Sequence, residues 1–402
     1  MLNPGQVKRW REALLTQQGL NRFEGHHVRS ITVKPHCATQ APREYEREIG
    51  HFSPPAKIIG HPVNANCLAG VTLARDVQLE PIRIERVKAA GVIGFAAVLG
   101  VDETLYNPEP VNTSTITRAL EKNKANHDGF IMESDPDGAR IHFVNRRNPR
   151  SFELDAVFLP ALEPGNYGSF VFRQLPLLLH LKIIMPKFDC YIVGDRTPWL
   201  LEALSLLGLP QKPIFAVREV CGDRFRSIQI CHGAHGEAFL NRSTLSGIAE
   251  LVRQNREMYE SSTNAENIYV SRALSPLWRP FYRPMLNEVE IEEGMKKRGF
   301  RIIYPETLNF RNQIGMFASA RRIFGPSGSG MLNAVFAAPE TKVVDVETFH
   351  VTVRQHANLY SCSSKEYCFI FEQPDDSDER PLFHRRWRLR NNLLREALEW
   401  AM

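Results

Sequence analysis

From residue 155 the chain alternates short apolar runs with amphipathic ones, and this rhythm restricts its fold more than any other feature. "DAVFLPAL" (155–162) reads as a buried strand and "YGSFVFRQLPLLLHLKII" (167–184) as a helix carrying a proline. "FDCYIVGD" (188–195) reads as a strand, "TPWLLEALSLLGL" (197–209) as a helix that stops near Gly208, and "KPIFAVR" (212–218) as a strand. A β-α-β-α-β series is the signature of a parallel sheet covered by helices.

A second series follows a polar-faced helix, "LSGIAELVRQNREMYES" (245–261), which suits a bridge between domains. Its strands are "NIYVSR" (267–272), "RIIYPE" (301–306), "RRIFG" (321–325) and "TKVVDVE" (341–347). Its helices are "NEVEIEEGMKKRGF" (287–300), "NFRNQIGMFASA" (309–320) and "GMLNAVFA" (330–337), the last stopped by Pro339. Asn287 with Glu290 reads as a capping box, and Gly299 suits the position after a helix end. The expected fold class is α/β, with two facing Rossmann-like units.

The length of 402 residues fits two domains of roughly 150–200 residues each. The expected divisions are a β-rich, irregular N-terminal region (1–150), a first unit (151–244), a second unit (245–375) and a C-terminal helix (376–402). Within the first region "TSTITRALEKNKA" (113–125) reads as a short helix. A net charge of +5 favours anionic small ligands and is too small to argue for nucleic acid. Seven scattered cysteines, none in C-x-x-C spacing, read as reduced thiols and give no zinc site. The N-terminus has no apolar core of signal-peptide length, and no window is long enough for a membrane span. A soluble, cytoplasmic protein is expected.

The stretch "FGPSGSGMLNAV" (324–335) places Gly325, Gly328 and Gly330 between a strand and a helix. Such glycines allow positive φ and close approach of a ligand to the backbone. N–H groups at a helix start, with hydroxyls from Ser327 and Ser329, make an anion site, although a tight turn without ligand has the same composition. Asn333 stands where G-x-G-x-x-G needs glycine, and no P-loop is present. Asp345 and Glu347 follow at about the 20-residue interval at which a ribose hydroxyl is held, and alternation puts them on one strand face. The coherent ligand is a nucleotide with its diphosphate on the loop.

"YVSR" (269–272), "RPMLNEVEI" (283–291), "LNFRNQIGMFASA" (308–320) and "FGPSGSGMLNAVFAAPETKVVDV" (324–346) occur in that order. Together they resemble family 61 glycosyltransferases, whose bacterial members include capsular polysaccharide biosynthesis proteins. The resemblance implies a GT-B fold and inverting transfer of a sugar from a nucleotide-diphosphate donor, without a metal or other cofactor. A UDP-sugar is the implied co-substrate and a glycan or lipid-linked glycan the implied acceptor. The family's loop histidine is Ser327 here. In "NYGSFVFRQLP" Asn166, Tyr167 and Pro176 are kept, while Ser169 replaces a histidine and Arg173 an acid.

The resemblance assigns Arg272 to the diphosphate, where a guanidinium fork can neutralise the leaving group without metal. Arg279 or Arg283 completes the clamp. Gln313 is a contact to base or phosphate or a buried structural amide, and Asn333 orients the loop. Asn166, Tyr167, Ser169 and Arg173 form the acceptor side. An inverting transfer needs a base for the acceptor hydroxyl, and the candidates are Glu163, His232 and His235. The alternative function is a catalytically impaired relative serving as an assembly partner. In the C-terminal "HRRWRLRNNLLREALEWAM", Leu389, Leu393, Ala397 and Trp400 make an apolar stripe. That stripe can dock on an anionic inner membrane or pack back onto the N-terminal domain.

Overall fold

The computed structural model describes residues 27–36, 48–79, 83–93, 97–100, 104–106, 130–135, 138–145, 149–161, 163–232, 238–256, 267–274, 283–348 and 353–402. The helix expected over 113–125 lies outside these. The N-terminal strands are β1 (His27–His36), β2 (Glu48–Phe52), β3 (Lys57–Gly60), β4 (Arg75–Leu79), β5 (Arg83–Ile93), β6 (Ala97–Leu99), β7 (Thr104–Tyr106), β8 (Phe130–Asp135) and β9 (Gly138–Asn145). The first alternating series comprises β10 (Ser151–Leu159), α1 (Tyr167–Ser169), a π-helical turn (Phe170–Gln174), α2 (Leu175–Ile184), β11 (Cys190–Val193), α3 (Pro198–Leu206), β12 (Ile214–Ala216), α4 (Val217–Val220) and β13 (Arg224–His232). After α5 (Arg242–Arg256) the second comprises β14 (Asn267–Val270), α6 (Glu288–Lys297), β15 (Arg301–Ile303), α7 (Phe310–Ala318), β16 (Arg322–Pro326), a 3-10 helix (Ser329–Phe336), β17 (Lys342–Glu347), α8 (Val353–Cys362) and β18 (Glu366–Phe371). The chain ends in α9 (Asn391–Ala401).

The expected α/β class is observed as two sheets with parallel cores. The second sheet runs β15-β14-β16-β17-β18-β3, all parallel. Its five strands from the second series therefore follow the order 2-1-3-4-5, which reverses between β14 and β16. The first sheet runs β12-β11-β10-β13-β5-β6-β7-β1-β9-β8. Its first four strands are parallel, and β5 returns antiparallel to β13. Its order reverses between β10 and β13. Open α/β sheets bind ligands at such reversals, beyond the carboxyl ends of the strands.

The N-terminal region contributes to both sheets. β3 pairs with β18, and Tyr367 OH donates to Ser53 O at 2.8 Å, so residues near 57 complete the second sheet. The two units also share one apolar cluster, in which Leu159, Phe170 and Leu178 meet Ile268, Phe310 and Phe336. Phe170 and Phe310 stack edge to face with centroids 5.2 Å apart.

Local chemistry explains where elements depart from the sequence reading. The helix over 167–184 widens into its π turn immediately before Pro176, whose ring would clash with the carbonyl of Phe172 in a regular helix. Asn287 does not cap α6 with its side chain; its Nδ2 donates to Leu389 O (2.9 Å) and its Oδ1 accepts from Leu389 N (3.0 Å). The capping box is thus replaced by a tie to the C-terminal segment. Gly299 follows α6 with φ 79°, as expected.

β13 has no apolar run to announce it, because Arg224, Arg226, Ser227 and Gln229 interrupt the pattern. These polar groups have a cross-strand purpose. Ser227 Oγ donates to Asp155 Oδ1 at 2.6 Å and Arg226 Nη2 to Asp155 Oδ2 at 2.8 Å, and this contact with Arg226 holds the Asp155 carboxyl well below the usual range.

The C-terminal stripe is buried in the protein. Leu389, Leu393 and Ala397 pack with Val344, Val346, Ile370 and Ile59 on the face of the second sheet, with Trp400 partly buried beside them. The apolar face that would meet a membrane is already covered, and the surface it packs on is the second unit's sheet. Among the described residues no helix is long and apolar enough to cross a membrane.

Candidate functional site

The reversal between β14 and β16 brings two strand ends side by side. Ser271 and Arg272 follow β14; Ser327 and Gly328 follow β16. Arg272 Nη1 donates to Ser327 O at 3.0 Å, and Arg283 Nη2 donates to the same oxygen at 3.3 Å. Two guanidinium groups therefore converge on one carbonyl at the start of the glycine loop. They differ in environment. Arg272 is half-buried, whereas Arg283 is buried and pairs with the fully buried Glu347 at 2.9 Å. Arg283 also has φ 45°, a conformation rare for a residue with a side chain, and Trp387 Nε1 donates to its carbonyl at 3.1 Å. Arg283, expected to complete the clamp, braces the loop from behind.

The loop glycines are bare for a different reason from the one the sequence suggests. None of Gly325, Gly328 and Gly330 is in the left-handed region; Gly328, at φ 161°, is extended. A Cβ on Gly325 would lie 2.6 Å from Val270 O. One on Gly330 would lie 3.0 Å from Pro305 Cγ and 3.2 Å from Val270 Cγ1. Those two glycines let β16 and the following turn press against β14. Gly328 is the open one, with the nearest atoms, on Arg272, 3.9 Å from a Cβ. The turn enters a 3-10 helix rather than the expected α-helix, with Met331 N donating to Gly328 O at 3.0 Å.

The first unit reaches this loop from the end of β10. Asn166 Oδ1 accepts from Gly168 N (2.9 Å) and from Ser329 Oγ (3.0 Å), and Asn166 Nδ2 donates to the exposed Glu163 Oε2 (3.0 Å). Tyr167 OH donates to Asn333 Oδ1 at 2.6 Å, and burial pushes this phenol well above its usual range. Asn333 Nδ2 donates to Gln313 Oε1 (2.8 Å), and Gln313 Nε2 to Leu308 O (3.1 Å). Gln313 and Asn333, both buried, are engaged in this chain, so they shape the loop from inside. A Cβ on Gly168 would lie 2.9 Å from Leu332 Cδ1, which shows how closely α1 approaches the 3-10 helix.

The other expected residues fall elsewhere. Ser169 is buried, its Oγ without a partner among the described residues. Arg173 lies in the π turn with its guanidinium 5.3 Å from the Phe172 ring centroid. Asp345 and Glu347 share a strand face, as alternation requires, but that face is packed against α8. Asp345 Oδ2 accepts from Tyr360 OH at 2.6 Å and lies 2.6 Å from His356 Nδ1, and the carboxylate is fully buried. The expectation that these two carboxylates present themselves to a ribose is corrected: one is enclosed with His356 and Tyr360, the other anchors Arg283. His235 and Arg279 lie outside the described residues, and His232 is the last residue of β13. Among the described residues no group of three or more His, Cys, Asp or Glu is placed to hold a metal ion.

One group was missed in the sequence. Glu288, in the first turn of α6, accepts from Arg272 N and contacts Ser271 Oγ at 3.2 Å. Glu292, one turn further, accepts from Ser271 Oγ at 2.5 Å and from Tyr304 OH at 3.0 Å. Both are buried, and desolvation pushes Glu288 up to about 7. The available signal was the spacing of four, which puts both on one helix face beneath β14.

Residues 167–344 match the family model for Glycosyltransferase 61. The match suggests a glycosyltransferase. It begins at Tyr167, whose hydroxyl reaches across to Asn333, and ends within β17, so it takes in Arg272, Arg283, Glu288 and the whole glycine loop. A search of curated proteins finds no match to the chain.

Proposed function

We propose that the protein is an inverting, metal-independent glycosyltransferase with a GT-B-like arrangement of its two units. It takes a sugar from a nucleotide-diphosphate donor, a UDP-sugar, and passes it to a glycan or lipid-linked glycan during synthesis of a surface polysaccharide of the capsular kind, in the cytoplasm. The observation that carries this reading is the convergence of Arg272 and Arg283 on Ser327 O beside the open backbone of Gly328. The family match over the same segment supports it.

In this reading the diphosphate lies against Gly328 and Ser329, with the Arg272 guanidinium neutralising the charge that grows on the leaving group. The acceptor hydroxyl oxygen attacks the anomeric carbon as the bond from that carbon to the diphosphate oxygen breaks. The hydroxyl proton passes to Glu163, and the nucleoside diphosphate leaves. Glu163 is the favoured base because it is exposed and stands two hydrogen bonds from the loop, through Asn166 to Ser329. Asn166 and Tyr167 fix the first unit against the donor loop.

The test is calorimetric titration of the purified protein with UDP, GDP and CMP, followed by analysis of glycan products with the matching nucleotide sugar. UDP binding that Gly328→Val abolishes, with sugar transfer that persists in EDTA, is expected. Failure of all three nucleotides to bind would remove the donor site.

A further inference from the structure

The carboxylates behind Arg272 carry an additional inference, which rests on the donor-site reading. Ser271 Oγ has one hydrogen, and two carboxylate oxygens lie within reach of it, Glu292 Oε1 at 2.5 Å and Glu288 Oε1 at 3.2 Å. The shorter contact takes the hydrogen. Ser271 Oγ also accepts from Ala273 N at 2.9 Å, so the hydroxyl has nothing left to donate to Glu288. Glu288 receives the Arg272 backbone N–H, while the Arg272 guanidinium is turned to Ser327 O. Both carboxylates are 5% exposed. Burial first, and the neighbouring Glu292 in the same direction, oppose a charge on Glu288.

We propose that Glu288 carries a proton at acid pH, and that it is a positioning residue whose ionisation weakens the hold of Arg272 on an anion at the Ser327–Gly330 loop. Among the described residues, the charged and titratable groups around the pair are Tyr269 and Arg272 from β14 and its end, and Tyr304 and Glu306 from the segment after β15. Only Arg272 among these is a cation. While Glu288 keeps its proton, it accepts the Arg272 backbone N–H as a neutral carboxyl. Once the proton leaves, a negative charge sits behind the guanidinium and opposes an incoming phosphate. The burial that pushes Glu288 up to about 7 puts this change in the neutral range.

The experiment is calorimetric titration of wild type, Glu288→Gln and Glu288→Ala with UDP and with inorganic pyrophosphate across pH 6 to 8. UDP itself titrates near pH 6, so the quantity read is the ratio of the wild-type Kd to the Glu288→Gln Kd. The ratio is expected to rise about tenfold from acid to alkaline pH, with Glu288→Gln behaving as the protonated form throughout. Infrared spectroscopy of the unliganded protein gives a second readout, since a buried protonated carboxyl has its own C=O band. That band is expected in wild type at pH 6, lost at higher pH, and absent from Glu288→Gln even if Glu288→Ala does not fold. A pH-independent ratio overturns the positioning role. Absence of the infrared band overturns the protonated Glu288. If neither UDP nor pyrophosphate binds at any pH while the band titrates, the donor-site reading falls with the positioning role, and the protonated Glu288 stands.

Discussion

Replacing Arg272 with alanine tests the donor site with the least damage to the fold. The Arg272 side chain donates from Nη1 to Ser327 O at 3.0 Å, whereas its backbone N–H donates to Glu288 and survives the substitution. The loss to stability includes the bond to Ser327 O, about 0.5–1.5 kcal/mol, and the attraction of the guanidinium for the buried Glu288 carboxyl. A charge-assisted bond to a phosphate is stronger, about 1.5–3 kcal/mol, so donor binding or turnover should fall about 10- to 150-fold. The leaving diphosphate gains charge in the transition state, so kcat should fall more than the UDP Kd rises. Arg272→Lys should recover part of the loss, because an ammonium lacks the guanidinium fork. Arg283 is the control for a structural arginine. Removing it takes the cation away from the buried Glu347 carboxylate, which still accepts from Thr348 N, at a cost of about 3–5 kcal/mol, and the variant should fail in thermal melts before any assay of activity. Calorimetry with UDP, steady-state kinetics and melting curves on the three variants decide the matter. A folded Arg272→Ala protein with wild-type Kd and kcat refutes the clamp.

Three further outcomes are expected. Gly325→Ala must force its Cβ against Val270 O and should lower the melting temperature by the equivalent of about 1–3 kcal/mol, while Gly328→Ala has room and should melt with wild type. Glu163→Gln should leave UDP affinity and melting unchanged and lower kcat by about 10²- to 10⁴-fold; a smaller effect would remove Glu163 as the base. The carboxyl of Glu288 is raised from its ordinary 4.5 to about 7, so the folded state binds the proton more tightly than the unfolded chain. Stability present at acid pH is then lost as pH climbs between those values, and urea titrations of wild type against Glu288→Gln should diverge by up to about 3 kcal/mol across that window.

The two alternating series were readable because a strand buried between helices must be apolar along its length, and that demand is written locally. "CYIV" in β11 shows it, and Gly208 and Gly299 mark helix ends for an equally local reason. β13 escaped notice because its polar residues answer to Asp155 and Arg86 on neighbouring strands, partners far away in the chain. The same distinction separates the site residues. Sequence order singled out Arg272, the glycine loop, Asn166 and Tyr167. Sheet order brought them together, since β14 and β16 are adjacent only after the chain reverses direction across the sheet. Asp345 and Glu347 looked equivalent in the strand pattern, yet what packs above that face encloses one with His356 and Tyr360 and joins the other to Arg283. The loop glycines make the same point. Gly325 and Gly330 are small because Val270 and Pro305 lie against them, Gly328 faces open space beside Arg272, and a one-dimensional pattern cannot distinguish a residue that must fit from one that leaves room.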